Sequence, residues 1–255
     1  MTCTIEAGPA TGAAPTATVD LGLPVRRRDR EELRRLAQRA AVEFEGRDPL
    51  LVLDWVARTF GRRVAVTSSM TDAVLPHLVS RVKPGVDVLF VDPGYHFAET
   101  LGTRDAVEAT LPVNVVTVRP ELTRAAHEAR YGELWRTDPD LCCAMRKVGP
   151  LERAMQDYDV WVTGVRREES ATRRDARLVE WDERRGKIKV NPLVAWTQFD
   201  VDRYIDWFDL LVNPLTQMGY PSIGCETCTR AVAPGEDPRA GRWAGRSKTE
   251  CGIHA

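Results

Sequence analysis

The amino-acid sequence predicts an α/β fold in which helices cover both faces of a doubly wound, mostly parallel sheet. Short runs rich in β-branched residues alternate with longer segments of helical periodicity. Each pair of runs is separated by enough residues for a crossover helix, which is the pattern of right-handed βαβ units. The 255 residues, 43% of them hydrophobic, suffice for one such domain with a single core.

Two amphipathic helices are expected before the sheet begins. Asp29 is a predicted N-cap, and apolar residues follow it at helical spacing as far as Gly46. A second helix is predicted from Asp48, which precedes a proline, to Gly61. The strands are then expected at 64–67, 86–91, 113–118 and 159–163.

The loops after three of these strands carry candidate ligand-binding residues. Because ligands of open α/β sheets bind beyond the carboxyl ends of the strands, we expect chemistry at Ser68, Asp92 and Gly164. The hydroxyl residues within 67–72 precede a predicted helix, where backbone N–H groups favour an anion, although an ordinary capped turn has the same pattern. The arginines after Gly164 suit phosphate or sulfate, or else form a solvated charge run.

The chain divides into three parts by composition. Residues 1–24 are rich in Ala, Thr, Gly and Pro and are expected to form a flexible tail. Residues 25–213 form the α/β domain, which ends with a hairpin over 178–190 and a helix that opens with a capping box at Thr197. Residues 214–255 are dense in Gly, Pro, Cys and Arg without periodicity, so we expect a metal centre to organise them and their last residues to form a mobile C-terminal tail.

Composition also limits the possible partners and location. Lys and Arg total 36 against 37 Asp and Glu, so the overall charge favours neither nucleic acid nor an anionic membrane surface. No apolar run approaches the length of a membrane span, and the N-terminus lacks the pattern of a secretory signal. We therefore expect a cytoplasmic protein whose cysteines stay reduced and serve metal binding or catalysis.

Four cysteines form two short pairs that are distant in sequence. Cys142 and Cys143 are adjacent, and Cys225 and Cys228 are separated by two residues. Two such pairs in one chain indicate a four-thiolate site for zinc or for an iron–sulfur cluster. Zinc usually takes ligands separated by at least two residues, so the adjacent pair favours the cluster.

A fifth cysteine, Cys251, lies in a short motif that ends with His254 and follows Arg239, Arg242 and Lys248. Positive charge beside a thiol lowers its pKa and supplies the reactive thiolate, so Cys251 is a candidate nucleophile. The motif taken alone is also compatible with a further metal ligand or with an idle terminus.

Together these motifs resemble the assimilatory sulfonucleotide reductases, and among them the bacterial adenosine 5'-phosphosulfate reductases that carry an iron–sulfur cluster. The resemblance extends from about residue 60 to the end of the chain. Its segments are Ser68-Ser69, 91–97, 142–148, 163–167, 191–193, 220–228, 241–243 and 248–254.

The resemblance implies a PP-loop α/β fold and a 4Fe-4S cluster on Cys142, Cys143, Cys225 and Cys228. It implies that the Cys251 thiolate attacks the sulfate sulfur and releases AMP, after which thioredoxin releases sulfite, in sulfate assimilation and cysteine biosynthesis. The implied catalytic residues are Cys251, His254 and Lys147. The implied substrate contacts are Ser68, Ser69, Asp92, Gly94, Gly164, Arg167, Arg173, Arg239 and Arg242.

Two departures from the family pattern bear on the substrate. Pro93 stands where the family usually has threonine, and the loop at Ser68 lacks the glycines of ATP pyrophosphatases, which argues against ATP cleavage. Three other functions are considered: reduction of 3'-phosphoadenosine 5'-phosphosulfate, ATP-dependent PP-loop chemistry with a structural metal, and a non-enzymatic iron–sulfur sensor. The four cluster cysteines favour the substrate without the 3'-phosphate.

Overall fold

The computed structural model describes residues 26–254, so the tail predicted over 1–24 lies outside the described residues. The helices are α1 (Arg30–Glu43), α2 (Pro49–Phe60), α3 (Val74–Ser80), α4 (Ala98–Thr110), α5 (Arg124–Tyr131), α6 (Leu134–Thr137), α7 (Pro139–Cys143), α8 (Gly149–Ala154) and α9 (Gln198–Phe208). The strands are β1 (Val64–Thr67), β2 (Val86–Val91), β3 (Val113–Val118), β4 (Val160–Thr163), β5 (Val179–Asp182) and β6 (Lys187–Val190). In residues 26–254, no helix is long and apolar enough to cross a membrane.

The six strands form one sheet in the order β3-β2-β1-β4-β6-β5. All neighbours are parallel except β5 and β6, which form the predicted hairpin. Helices pack on both faces, with α1, α2, α3 and α9 on one side and α8 on the other. The predicted α/β class with a mostly parallel, doubly wound sheet is therefore confirmed.

The first two helices begin and pack as their sequences require. The carboxylate of Asp29 accepts a hydrogen bond from the backbone N–H of Glu32 at 2.8 Å, which caps α1. Leu33, Ala37 and Ala40 recur at helical spacing and are buried against the sheet, while the rest of α1 is mostly exposed. In α2, a proline occupies the first turn after the Asp48 cap.

Strand β4 begins at Val160, although the prediction placed its start at Asp159. The Asp159 carboxylate pairs with Arg63 at 2.8 Å and its backbone N–H donates to the Arg63 carbonyl at 2.8 Å. Because these bonds tie Asp159 to the turn before β1, the ladder starts at the next residue.

The topological switch point of the sheet lies between β1 and β4, because the strands after β3 are added on the opposite side of β1. Strands β2 and β3 lie on one side of β1, and β4, β6 and β5 lie on the other. Thr67 and Thr163 are register partners at the ends of β1 and β4. The loops that follow these strands therefore diverge and leave a crevice, which is the usual position of a ligand in such sheets.

Residues 214–254 contain only short helical turns, at Pro214–Met218 and Glu226–Cys228. Backbone hydrogen bonds attach this segment to the sheet domain, including that from Glu226 N–H to the carbonyl of Tyr95 at 2.8 Å. A bridge between Thr229 and Arg242 folds the segment back on itself. Gly241 is required there, because a Cβ would lie 2.2 Å from the carbonyl of Arg230.

Candidate active site

A cavity of about 960 Å³ lies at the crevice between the ends of β1 and β4, within the usual size of a small-molecule site. The loops after both strands, the helix α9 and the C-terminal segment form its walls. We call this cavity the cleft. It is lined by ten of the predicted site residues, which are Ser68, Ser69, Lys147, Gly164, Arg167, Arg173, Arg239, Arg242, Cys251 and His254.

The loop after β1 is held in shape by its own polar side chains. The Ser68 hydroxyl accepts a hydrogen bond from the backbone N–H of Met70 at 3.2 Å, and Met70 has a positive φ of 58°. The Asp72 carboxylate accepts from the N–H of Val74 at 2.9 Å and so caps α3. Burial raises the pKa of Asp72. The loop is therefore a rigid wall of the cleft.

One carbonyl group and one carboxylate hold the guanidinium of Arg167. Its Nε donates to the carbonyl of Ala176 at 2.7 Å, and Nη2 lies 3.5 Å from Glu45. The neighbouring Arg166 has a buried Nη1 with no hydrogen-bond partner among the described residues. Arg166 therefore has a free donor in the cleft wall, whereas Arg167 is engaged.

A carboxylate from the C-terminal segment lies among the arginines of the cleft. Glu250 accepts from Nε and Nη2 of Arg173 at 3.0 and 3.1 Å, a forked pair, and lies 3.2 Å from Nη2 of Arg239. Arg239 also donates to the carbonyl of Thr249 at 2.8 Å. The forked pair fixes the residue next to Cys251. We call this group, Arg173, Arg239 and Glu250, the glutamate clamp.

Lys147 and Arg242 bring further positive charge to the cleft. Lys147 is 9% exposed. Burial lowers its pKa, whereas the charges of the nearby Cys225 and Cys251 thiolates raise it, and the pKa of Lys147 is raised overall. Arg242 donates to the Ser222 hydroxyl and to the Ile223 carbonyl, both at 3.2 Å. Burial and then the charge of Arg239 lower the pKa of Arg242. Lys147 and Arg242 therefore bring positive charge into the part of the cleft that holds Cys251.

His254 is half-buried at the end of the described chain. Its ring stacks on Trp161, with ring centroids 5.5 Å apart and an interplanar angle of 12°. Burial, followed by the charges of Arg173 and Lys189, lowers the pKa of His254 well below its usual value. The imidazole is therefore neutral at ordinary pH and does not serve as a cation there.

The four paired cysteines line a second, smaller cavity that is separate from the cleft except at Lys147 and Trp243. Helix α7 continues through a π-helical turn, Ala144–Val148, into α8. Pro139, Cys142, Cys143, Arg146 and Lys147 follow one another at helical spacing and line one side of this cavity. Cys225 and Cys228 line it from the C-terminal segment. We call it the cysteine cavity.

The donor set of the cysteine cavity suits an iron–sulfur cluster better than a single metal ion. All four cysteines are free thiols, and burial followed by the charge of the neighbouring thiolates raises the pKa of Cys142 to about 12. Within residues 26–254, no three Cys, His, Asp or Glu side chains are gathered closely enough to hold one ion. Four cysteine thiolates are the usual ligands of a 4Fe-4S cluster, whereas structural zinc usually takes ligands separated by at least two residues, unlike the adjacent Cys142 and Cys143.

Asp92 and Gly94 are not among the residues that line the cleft, although the sequence suggested that they contact substrate. The Asp92 carboxylate accepts from the N–H of Gly94 at 2.9 Å and lies 3.2 Å from Nε of Arg119. Gly94 has a φ of 80°, and a Cβ there would lie 3.1 Å from Nη2 of Arg146. Both residues shape a turn whose other members, Pro93 and Tyr95, line the cysteine cavity.

Sequence reasoning missed residues that connect the two cavities. Trp243 lines both, has a positive φ of 47°, and lies beneath Arg242 and Lys248, whose cationic groups are 4.6 and 5.3 Å from its ring. The ring of Tyr95 lies beneath Arg146 at 5.3 Å. Trp243 lies in segment 241–243, which is part of the family resemblance, but nothing in that segment indicates that Trp243 lines both cavities.

Comparison with known proteins agrees with the motifs. Residues 63–231 match the phosphoadenosine phosphosulfate reductase domain. The chain is 57% identical over 228 residues to a Streptomyces coelicolor protein named adenosine 5'-phosphosulfate reductase, covering 89% of this chain and 97% of that protein. A Mycobacterium tuberculosis protein of the same name is 47% identical over 242 residues, covering 88% and 95% of the two chains.

Solved structures show the same fold. A phosphoadenylyl-sulfate reductase from Candida auris, in a phosphate complex, has a TM-score of 0.64 and 28% identity and covers 81% of this chain and all of its own, 100%. An FMN adenylyltransferase from Candida glabrata, at 10% identity and covering 77% and 66% of the two chains, has a TM-score of 0.52 and shares the fold alone. The resemblance inferred from the motifs is thus confirmed, and the chain belongs to the phosphoadenosine phosphosulfate reductase family.

Proposed function

We propose that this protein reduces adenosine 5'-phosphosulfate to sulfite and AMP in sulfate assimilation, with Cys251 as the nucleophile. The observation that carries the proposal is the position of Cys251 in the same cleft as Lys147, Arg239 and Arg242. A thiolate and a phosphosulfate repel each other in water. Fixed cations in a cleft with buried walls reduce that repulsion and stabilise charge on the leaving phosphate.

In the first step, the Cys251 thiolate attacks the sulfate sulfur of the bound nucleotide. A bond forms between Sγ and that sulfur, the bond from sulfur to the phosphate oxygen breaks, and AMP leaves with the electron pair. The product on the protein is S-sulfocysteine. Lys147 and Arg242 line the cleft beside Cys251 and are the groups that we assign to the developing negative charge.

In the second step, a dithiol reductant of the thioredoxin type releases sulfite. One of its thiolates attacks Sγ of Cys251, and sulfite leaves with the bonding pair. The second thiol of the reductant then resolves the mixed disulfide, which returns Cys251 to the thiol and leaves the reductant oxidised. The chemistry needs a compartment where thiols are kept reduced, so we place the protein in the cytoplasm.

We further propose that Cys142, Cys143, Cys225 and Cys228 hold a 4Fe-4S cluster. Support comes from the all-thiolate donor set of the cysteine cavity and from the adjacency of Cys142 and Cys143, which is unusual for the ligands of structural zinc. When bound, the cluster supplies structural crosslinking and a local electrostatic field rather than electrons. Lys147 lines both cavities and would lie between the cluster and the substrate.

The choice of the substrate without a 3'-phosphate is supported by relatives of 47% to 57% identity that bear the name adenosine 5'-phosphosulfate reductase. An anaerobic assay of sulfite release with thioredoxin should be run with both sulfonucleotides, beside iron and acid-labile sulfide analysis. We expect higher kcat/KM for the nucleotide without the 3'-phosphate and iron with sulfide in equal amounts. Preference for the 3'-phosphorylated nucleotide would overturn the substrate assignment, and zinc without iron would overturn the cluster.

A further inference from the structure

The end of the described chain rests on the β5–β6 hairpin, which is distant from it in sequence. Nη2 of Arg185 donates to the carbonyl of Ile253 at 2.8 Å, and Nη2 of Arg184 donates to that of Gly252 at 3.2 Å. Because both acceptors are main-chain carbonyls, these bonds fix the path of the backbone whatever the side chains at those positions are. They hold it immediately after Cys251.

Arg185 is itself held rigidly by the hairpin. Its Nη1 donates to the Asp182 carboxylate at 2.8 Å, and its backbone N–H donates to the same carboxylate at 2.9 Å. Its side chain is 3% exposed. A buried guanidinium with a fixed carboxylate partner loses little further freedom when it holds the carbonyl of Ile253.

Trp161 of β4 completes the surface on which the terminus lies. Its ring is fully buried, at 0% exposure, and stacks against His254. The guanidinium of Arg185 is 4.8 Å from the same ring, and Ile253 packs against the apolar cluster that contains Trp161. We call Trp161, Asp182 and Arg185 the tail seat.

We propose that the tail seat fixes residues 251–254 so that Cys251 is aligned for attack, with Arg185 as a positioning residue; this rests on the proposed function. Arg185 and Trp161 are not among the residues that line the cleft, so neither touches the nucleotide. The glutamate clamp holds the chain before Cys251 and the tail seat holds it after. A thiol restrained on both sides keeps the orientation that sulfur transfer requires.

This role predicts a separation of two kinetic quantities. Arg185→Ala should leave the dissociation constant of AMP unchanged, because the cleft wall is intact. It should slow single-turnover formation of S-sulfocysteine by about 10²-fold, the usual cost of a misplaced reacting group. Alkylation of Cys251 by iodoacetamide, followed by peptide mass mapping, should become several times faster because the tail is released.

Three variants separate positioning from a structural effect. Asp182→Asn removes the charge that steadies Arg185 but keeps the Arg185 bond to Ile253, so it should shift both readouts less than Arg185→Ala does. Arg177→Ala removes a half-exposed arginine that pairs with Glu45 and serves as the matched control. Arg185→Lys keeps one donor and should be intermediate in both readouts. If Arg185→Ala does not fold, Arg185→Lys carries the test.

The proposal is overturned if Arg185→Ala forms S-sulfocysteine at the wild-type rate, or if its AMP affinity falls as much as its rate. It is overturned equally if the control Arg177→Ala reproduces the full effect. Should the wild type form no adduct at all, the proposed function fails instead. The alkylation comparison involves no nucleotide and would still decide whether Arg185 holds the tail.

Discussion

The sheet domain, residues 26–213, and the C-terminal segment, residues 214–254, are held in place by different interactions. In the sheet domain, Val66, Phe90 and Val162 are fully buried at 0% exposure, as is typical of strands covered on both faces. The buried apolar side chains of the C-terminal segment are few, and the largest is that of Trp243. Hydrogen bonds and arginine ion pairs hold most of the rest.

This difference matches what each of the two regions contributes to the cleft. The sheet domain supplies a fixed floor at the ends of β1 and β4, where apolar packing tolerates little movement. The C-terminal segment supplies the thiol together with Arg239 and Arg242, on a backbone held largely by polar contacts. Polar attachments of this kind suit the proposed nucleophile, which would meet a nucleotide first and a protein reductant second.

The largest effect should come from removing the proposed metal from the C-terminal segment. Cys225→Ser should lose iron, sulfite production and the order of residues 214–254, since metal binding there is also folding energy. Limited proteolysis should cleave the segment rapidly while the sheet domain resists. Cys251→Ser is the matched control, because it makes the same substitution outside the cysteine cavity and should keep both iron and protease resistance. Wild-type iron content in Cys225→Ser would contradict the account.

A substitution in the hydrophobic core should instead lower the stability of the whole protein, and its effect should be smaller than that of Cys225→Ser. Leu53 is 2% exposed on α2, so Leu53→Ala should lower the free energy of unfolding by about 2–5 kcal/mol in chemical denaturation. Leu51 lies on the same helix at 54% exposure, and Leu51→Ala should change it by less than about 0.5 kcal/mol. Equal effects of the two substitutions would show that α2 does not pack as described.

The smallest predicted effect is the pH dependence of the contribution that His254 makes to stability. The pKa of His254 is lowered in the folded protein, so the unfolded chain takes up its proton first as the pH falls. The contribution of His254 to stability is therefore full above a pH of about 6.5 and is lost below it. The difference in unfolding free energy between wild type and His254→Gln should fall by up to about 1 kcal/mol from pH 6.5 to 5.5, because the unfolded imidazole is already half protonated at pH 6.5. A difference that stays constant or rises would contradict burial of a neutral imidazole.

The sequence was sufficient for the sheet because its signals are local and periodic. The predicted limits of the first three strands agree with the structure, and β4 differs only by Asp159, which pairs with Arg63. The convergence of Ser68 and Gly164 was also predictable, since strand ends in a parallel sheet meet at one edge.

Contacts between irregular segments were not predictable, because no periodicity links their partners. Nothing in the sequence pairs Glu250 with Arg173 or Arg185 with the carbonyl of Ile253. Periodicity also does not show which residues at the end of β2 and in the turn after it face the cleft: Val91 and His96 line it, and Asp92 does not. The assigned roles of the individual site residues and the mobility of the tail stay predictions.

The central claim is tested most directly by trapping the first step. The protein should be incubated anaerobically with adenosine 5'-phosphosulfate and no thiol, and its cysteine peptides should then be weighed by mass spectrometry. We predict that the Cys251 peptide is heavier by one SO₃ group, that AMP is released in equal amount, and that Cys251→Ser shows neither change. An adduct on another cysteine, or sulfite production by Cys251→Ser, would contradict the account.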